Sequence, residues 1–131
     1  MKSAAKVVRD MLDAVLRGDE ASAMSHIHPD IKVIEPDSLV YGGVHNGLSA
    51  FHTDVYGVIL SKLNIGIGRC EVIGSENKVA VSMDVTFTSR KTGQSLLMPF
   101  VELYTVCDEK ISDLDVYPQD TKRLAEFWDA N

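Results

Sequence analysis

The sequence predicts an α+β fold, with helices packed on one face of a curved antiparallel sheet. Three observations predict it. Apolar residues recur at helical spacing in the first sixteen positions and again between 48 and 59. Beyond about residue 63 the period changes to two. Turn-forming clusters then cut the second half into four runs joined as hairpins. Helices segregated from strands in this order mark an α+β chain rather than an alternating α/β one.

From Ser3, an N-cap candidate, Val8, Met11, Leu12, Val15 and Leu16 follow helical spacing, and Gly18 stops the run. Asp19 caps a second, short helix through Met24. His28-Pro29-Asp30 then breaks the chain before an extended stretch over 31–35 that ends at Pro36. Residues 37–46, rich in Gly, Asp, Ser and Asn, read as a loop, and Asn46 as the cap of a third helix carrying Leu48, Phe51, Val55, Val58 and Ile59 on its apolar side. Strands are expected over 63–73, 78–89, 96–107 and 111–117, with turns between them at 74–77, 90–93 and 108–110. In the second of these, Val79, Val81, Met83, Val85 and Phe87 alternate with polar or small residues, so one face is core. Asp120 caps a closing helix with Leu124, Phe127 and Trp128 as its apolar stripe. Helices on the concave face of such a sheet leave a cone, a natural place for a ligand cavity.

The 131 residues fit one domain, 1–131, and 45% hydrophobic with 24% charged residues is ordinary globular composition. Nineteen acids against thirteen Lys and Arg give a net charge of −6, and the densest basic stretches are the pairs Arg90-Lys91 and Lys122-Arg123. This balance argues against nucleic acid or an anionic membrane as partner. Without an apolar leader core or an 18-residue apolar run, a cytoplasmic location is the expectation. Cys70 and Cys107 lie in apolar stretches outside any ligand spacing and read as buried free thiols. His26 and His28 form an H-x-H pair without a third ligand at supporting spacing, and Gly66-x-Gly68 leads into a strand rather than a helix. Neither a metal nor another cofactor is therefore expected.

Arg17-Gly18-Asp19, His28-Pro29-Asp30, Glu35-Pro36, Tyr41-Gly42-Gly43 and Gly47 before a helix, then Pro99-Phe100 into a hairpin, together resemble SnoaL-like proteins of the NTF2-like superfamily over nearly the whole chain. The resemblance implies a cone-shaped α+β barrel and, in the relatives, ketosteroid isomerases, polyketide cyclases and proteins without catalysis. Glu35-Pro36 occupies the place of the Asp-Pro whose aspartate is the general base of the isomerases. Glu102 occupies roughly the place of the acid that, kept protonated, donates to the oxyanion. Met11 falls where those isomerases have a first-helix tyrosine donor, and Val116 where aromatic polyketide cyclases have a last-strand acid, with Asp115 beside it on the opposite face. The resemblance also suggests a homodimer formed through the sheet.

Removing a proton next to a carbonyl needs a carboxylate lifted toward neutrality by apolar walls and a partner that stabilises the enolate oxygen. Glu35 and Glu102 are the candidate pair; the alternative places Glu35 solvated at the rim and Glu102 on the outer face. Phe100, Glu102, Tyr104 and Val106 share one strand face and Val101, Leu103 and Thr105 the other, and periodicity leaves open which is inside. If the Glu102 face is inward, the Tyr104 hydroxyl is a candidate replacement for the missing tyrosine donor. His52 shares the helical face of Leu48, Phe51, Val55 and Ile59 and is expected to point inward, as an auxiliary acid or base or as a hydrogen-bonded histidine at the core edge. Tyr41 and His45 are expected at the pocket mouth, and Met11, Phe51 and Val116 on its walls. Two functions follow: cofactor-independent acid–base chemistry of isomerase or cyclase type on a small apolar carbonyl compound, or a non-catalytic ligand-binding or dimerisation domain.

Overall fold

A computed structural model describes residues 1–131. Helix α1 (Ala4–Leu16) begins where the Ser3 side chain accepts the Lys6 N–H, and it buries Val7, Val8, Met11, Leu12 and Ala14. Asp19 caps α2 (Glu20–Ser25) through the Ser22 N–H. The chain then enters β1 (Ile27–Glu35) at once, so His28-Pro29-Asp30 lies inside a strand rather than breaking it. Proline is tolerated there because β1 shifts register against its neighbour between Ile27 and Lys32, where its missing N–H interrupts no regular ladder.

The expected loop over 37–46 ends in a short edge strand, β2 (Gly43–Asn46), paired antiparallel with β1 from Glu35↔Gly43 to Lys32↔Asn46. Asn46 is thereby held in the ladder, and the cap position falls to Gly47, whose φ of +95° suits glycine. One continuous helical run follows: α3 (Leu48–Ala50), a π-helical turn over Phe51–Tyr56, and α4 (Gly57–Leu60).

Strands β3 (Leu63–Ser75), β4 (Lys78–Ser89), β5 (Ser95–Cys107) and β6 (Lys110–Pro118) form three hairpins in series. The sheet order is β2-β1-β6-β5-β4-β3, antiparallel except where β1 runs parallel to β6. Irregularities between Ile67 and Cys70 and between Thr105 and Val106 add the local twist that bulges impose, and the sheet curves without closing. Helix α5 (Thr121–Ala130), capped by Asp120, completes the chain.

The concave face of β4 carries Val79, Val81, Met83, Val85 and Phe87, and that of β5 carries Leu96, Met98, Phe100, Tyr104 and Val106. These join α1 and Leu124 of α5 in one apolar cluster of 29 buried residues. Each such large aliphatic or aromatic side chain removed from water stabilises the fold by about 1.5–3 kcal/mol. The facing of β5 is thus decided: Glu102 lies on the inner face, while Leu97 and Val101 are exposed on the convex one. Cys70 is half-buried, but Cys107, at the outer end of β5, is exposed rather than buried. No helix is long and apolar enough to cross a membrane.

Candidate functional site

Between α1, α2, the helical run over 48–60 and the concave sheet lies a cavity of 420 Å³, within the size range of small-molecule sites. Met11, Leu12, Ile27, Ile31, Phe51 and Leu114 supply apolar wall, and 15 of its 19 lining residues are hydrophobic. Among these walls stand Glu102, Tyr104 and Tyr56; Glu20 and His52 also border it.

The two carboxyls predicted from sequence share a rung of the sheet. Glu102 pairs with Val116, and Ile34 with Asp115, so one step further Glu35 stands beside Val116 on the concave face. Two strand spacings separate the Glu35 and Glu102 backbones, about 9–10 Å. Glu35 is 6% exposed, not solvated at a rim, and its carboxyl has no hydrogen-bonded partner. Burial first, then the charge of Glu102, push it up to about 8. Glu102 is also raised by burial, but the Tyr104 hydroxyl donates to its Oε1 at 2.9 Å and opposes the rise by favouring the ionised form. Glu102 lines the cavity; Glu35 does not, and lies behind Val116 on the same rung.

The third polar group was missed by sequence reasoning. In an α-helix, positions five apart point about 140° away from each other. The π-turn, closed by the Gly57 N–H donating to the His52 carbonyl, brings Phe51 and Tyr56 onto one side, with ring centroids 5.0 Å apart. Tyr56 therefore lines the cavity, although the residue as a whole is 40% exposed. Its hydroxyl is raised by burial and then by the charges of Glu102 and Glu35, so it lies within electrostatic reach of both carboxyls. No sequence signal marks the π-turn; an α-helical wheel puts Tyr56 off the apolar face.

The same turn corrects His52. Its side chain is 62% exposed, and Nε2 meets Glu20 Oε1 at 3.0 Å across the cavity mouth rather than pointing into the core. Tyr41 is buried, not at the mouth, and lines a second cavity of 250 Å³ with Leu39, Leu63, Leu124 and Trp128. It meets the Trp128 ring edge-on at 6.3 Å, and its hydroxyl, raised chiefly by burial, also feels the Glu35 charge. His45 belongs to β2, where its Nε2–H donates to the Tyr41 carbonyl at 2.8 Å; it lines neither cavity because the short strand holds it against the preceding loop. Met11 and Phe51 are walls of the main cavity, whereas Val116 is buried on the rung between the two carboxyls. Tyr104 points inward, but its proton is spent on Glu102 and is not free for a ligand.

The SnoaL-like domain family profile matches residues 8–114. A search of curated protein sequences found no match. Among solved structures, an NTF2-like protein from Burkholderia thailandensis superposes with a TM-score of 0.86 at 20% identity, covering 100% of this chain and 99% of its own. A protein with a cystatin-like fold from Xanthomonas campestris gives 0.84 at 21% identity, covering 97% and 98%. A protein assigned as a polyketide cyclase, from the same species, gives 0.79 at 17% identity, covering 94% of each chain. At these identities the likeness is one of fold.

Proposed function

The chain belongs to the SnoaL-like domain family, and from that premise we propose that it binds a small apolar carbonyl compound in the cone and moves a proton on it without a cofactor. The observation that carries this reading is the carboxyl pair on one concave rung, both members lifted by burial beside a largely apolar cavity. Acid–base catalysis near neutral pH needs carboxyls raised in this way. Tyr56 supplies a hydroxyl that makes no protein hydrogen bond and can meet a carbonyl oxygen as charge develops on it.

The test is α-proton exchange of bicyclic ring ketones in D2O, followed by proton NMR, alongside calorimetric binding of the same ketones. Glu102→Gln is expected to slow protein-dependent exchange by about 10²–10⁴-fold with binding kept. Binding without exchange in the wild-type protein would leave a carrier of such compounds and no enzyme. For the second copy expected through the sheet, the supporting feature is the convex strip of Leu97, Val101 and Tyr117, the last two paired across β5 and β6. Sedimentation equilibrium tests it: a dimer that Val101→Lys dissociates supports the interface, and a monomeric wild-type protein refutes it.

A further inference from the structure

The resemblance implies an ionised Glu35 as base and a protonated Glu102 as donor. The geometry differs in two respects. Glu102 lines the cavity and accepts the Tyr104 hydroxyl at 2.9 Å, whereas Glu35 is 6% exposed, lines neither cavity and accepts no hydrogen bond. A carboxylate stripped of water is stabilised by each donor it keeps, and an undonated carboxyl in the same surroundings retains its proton.

We propose that Glu35 is the member of this pair that keeps its proton, so that Glu102, braced by Tyr104, is the ionised group facing the ligand and the base of the site. This rests on the acid–base reading above and reverses the roles that the resemblance implies. Two further ionisable side chains, Glu20 and His52, border the same cavity but pair with each other at 3.0 Å; the other titratable groups around the pair are hydroxyls and a thiol. Tyr104 of β5 donates to Glu102, the hydroxyl of Tyr56 in the helical run and the thiol of Cys70 in β3 feel the Glu102 charge, and Tyr41 and Tyr56 feel that of Glu35. No lysine, arginine or histidine pairs with either carboxyl. One negative charge is thus accommodated on the better-donated member, and the second is resisted by the first, which is why Glu35 responds to the charge of Glu102.

On the small apolar carbonyl compound proposed above, with a C–H next to its carbonyl, this assignment gives one balanced step. A Glu102 carboxylate oxygen takes the α-proton; the C–H pair becomes the carbon–carbon double bond of an enolate, and the carbonyl π pair moves onto oxygen. The Tyr56 O–H donates a hydrogen bond to that oxygen. Glu102 then returns the proton to the same carbon or to one conjugated with it, so nothing is oxidised or reduced. Glu35 is a positioning residue: its retained proton keeps a second charge out of the site.

The experiment is a side-chain carboxyl ¹³C NMR titration of the wild-type protein from pH 4 to 10, with Glu35 and Glu102 assigned through their own side-chain carbons, repeated on Tyr104→Phe. The expected result is a lower step at Glu102 and an upper step at Glu35, with Tyr104→Phe moving the Glu102 step upward. An upper step that belongs to Glu102, or a Glu102 step that Tyr104→Phe does not move, overturns the assignment and leaves the acid–base reading standing. Two steps both complete below pH 6 overturn the assignment and that reading together.

Discussion

Glu35→Gln gives a stability change whose sign depends on pH. An acid whose folded pKa is raised holds its proton in the folded state over a window in which the unfolded chain has released it. Stability is therefore fully present below the unfolded value and is lost as pH rises through the folded one. For Glu35 the window runs from 4.5 to about 8. Each pH unit crossed costs the fold about 1.4 kcal/mol, so the full loss approaches 5 kcal/mol by pH 8.5. At 6% exposure, solvent screening reduces this little. Glutamine keeps the shape but cannot ionise. Urea unfolding of both proteins at half-unit steps from pH 4.5 to 8.5 gives the difference directly, because groups common to both cancel. The variant is expected to be equal or slightly less stable at pH 4.5 and more stable by several kcal/mol at pH 8.5. A difference independent of pH would refute the reasoning, since it would mean that Glu35 titrates alike in the folded and unfolded chain.

Tyr56→Phe keeps the ring against Phe51 and removes only the hydroxyl; unfolding free energy is expected to change by less than about 1 kcal/mol while ketone proton exchange falls about 10²-fold. His52→Ala breaks an exposed pair with Glu20, so thermal unfolding is expected to register under about 1 kcal/mol; a larger loss would show His52 to be structural. Gly42→Ala places a Cβ on the Pro36 carbonyl and 2.9 Å from the Leu39 carbonyl, in the turn that folds over the end of β1. A destabilisation of about 1–3 kcal/mol is expected by urea unfolding, because backbone atoms cannot step aside as a side chain can.

Much of the frame was legible because local rules agree with the tertiary outcome. Ser3, Asp19 and Asp120 cap their helices as their side-chain chemistry predicts, and the alternation of β4 identifies its buried face because a one-residue slip would expose every apolar side chain. What failed did so for non-local reasons. The pairing of β2 depends on a partner strand that a loop-like composition does not announce. Asn46 lost its cap role to that pairing, and Pro29 survives in a strand because of an irregularity in register that only the neighbouring strand defines.

The candidate site divides along the same line. The sequence by itself determined the family frame, the presence of Glu35 at a strand end and of Glu102 with Tyr104 on one strand face, because spacing along a helix or strand is a property of the chain alone. Only the tertiary structure decided that this face is inward, that Val116 sets the two carboxyls on one rung, and that a π-turn swings Tyr56 into the cavity and leaves His52 exposed at its border. The physical reason is that the carboxyls' proton affinities follow from burial and from neighbours far away in sequence. Those quantities come into being only when separate strands and a helix close around the same volume.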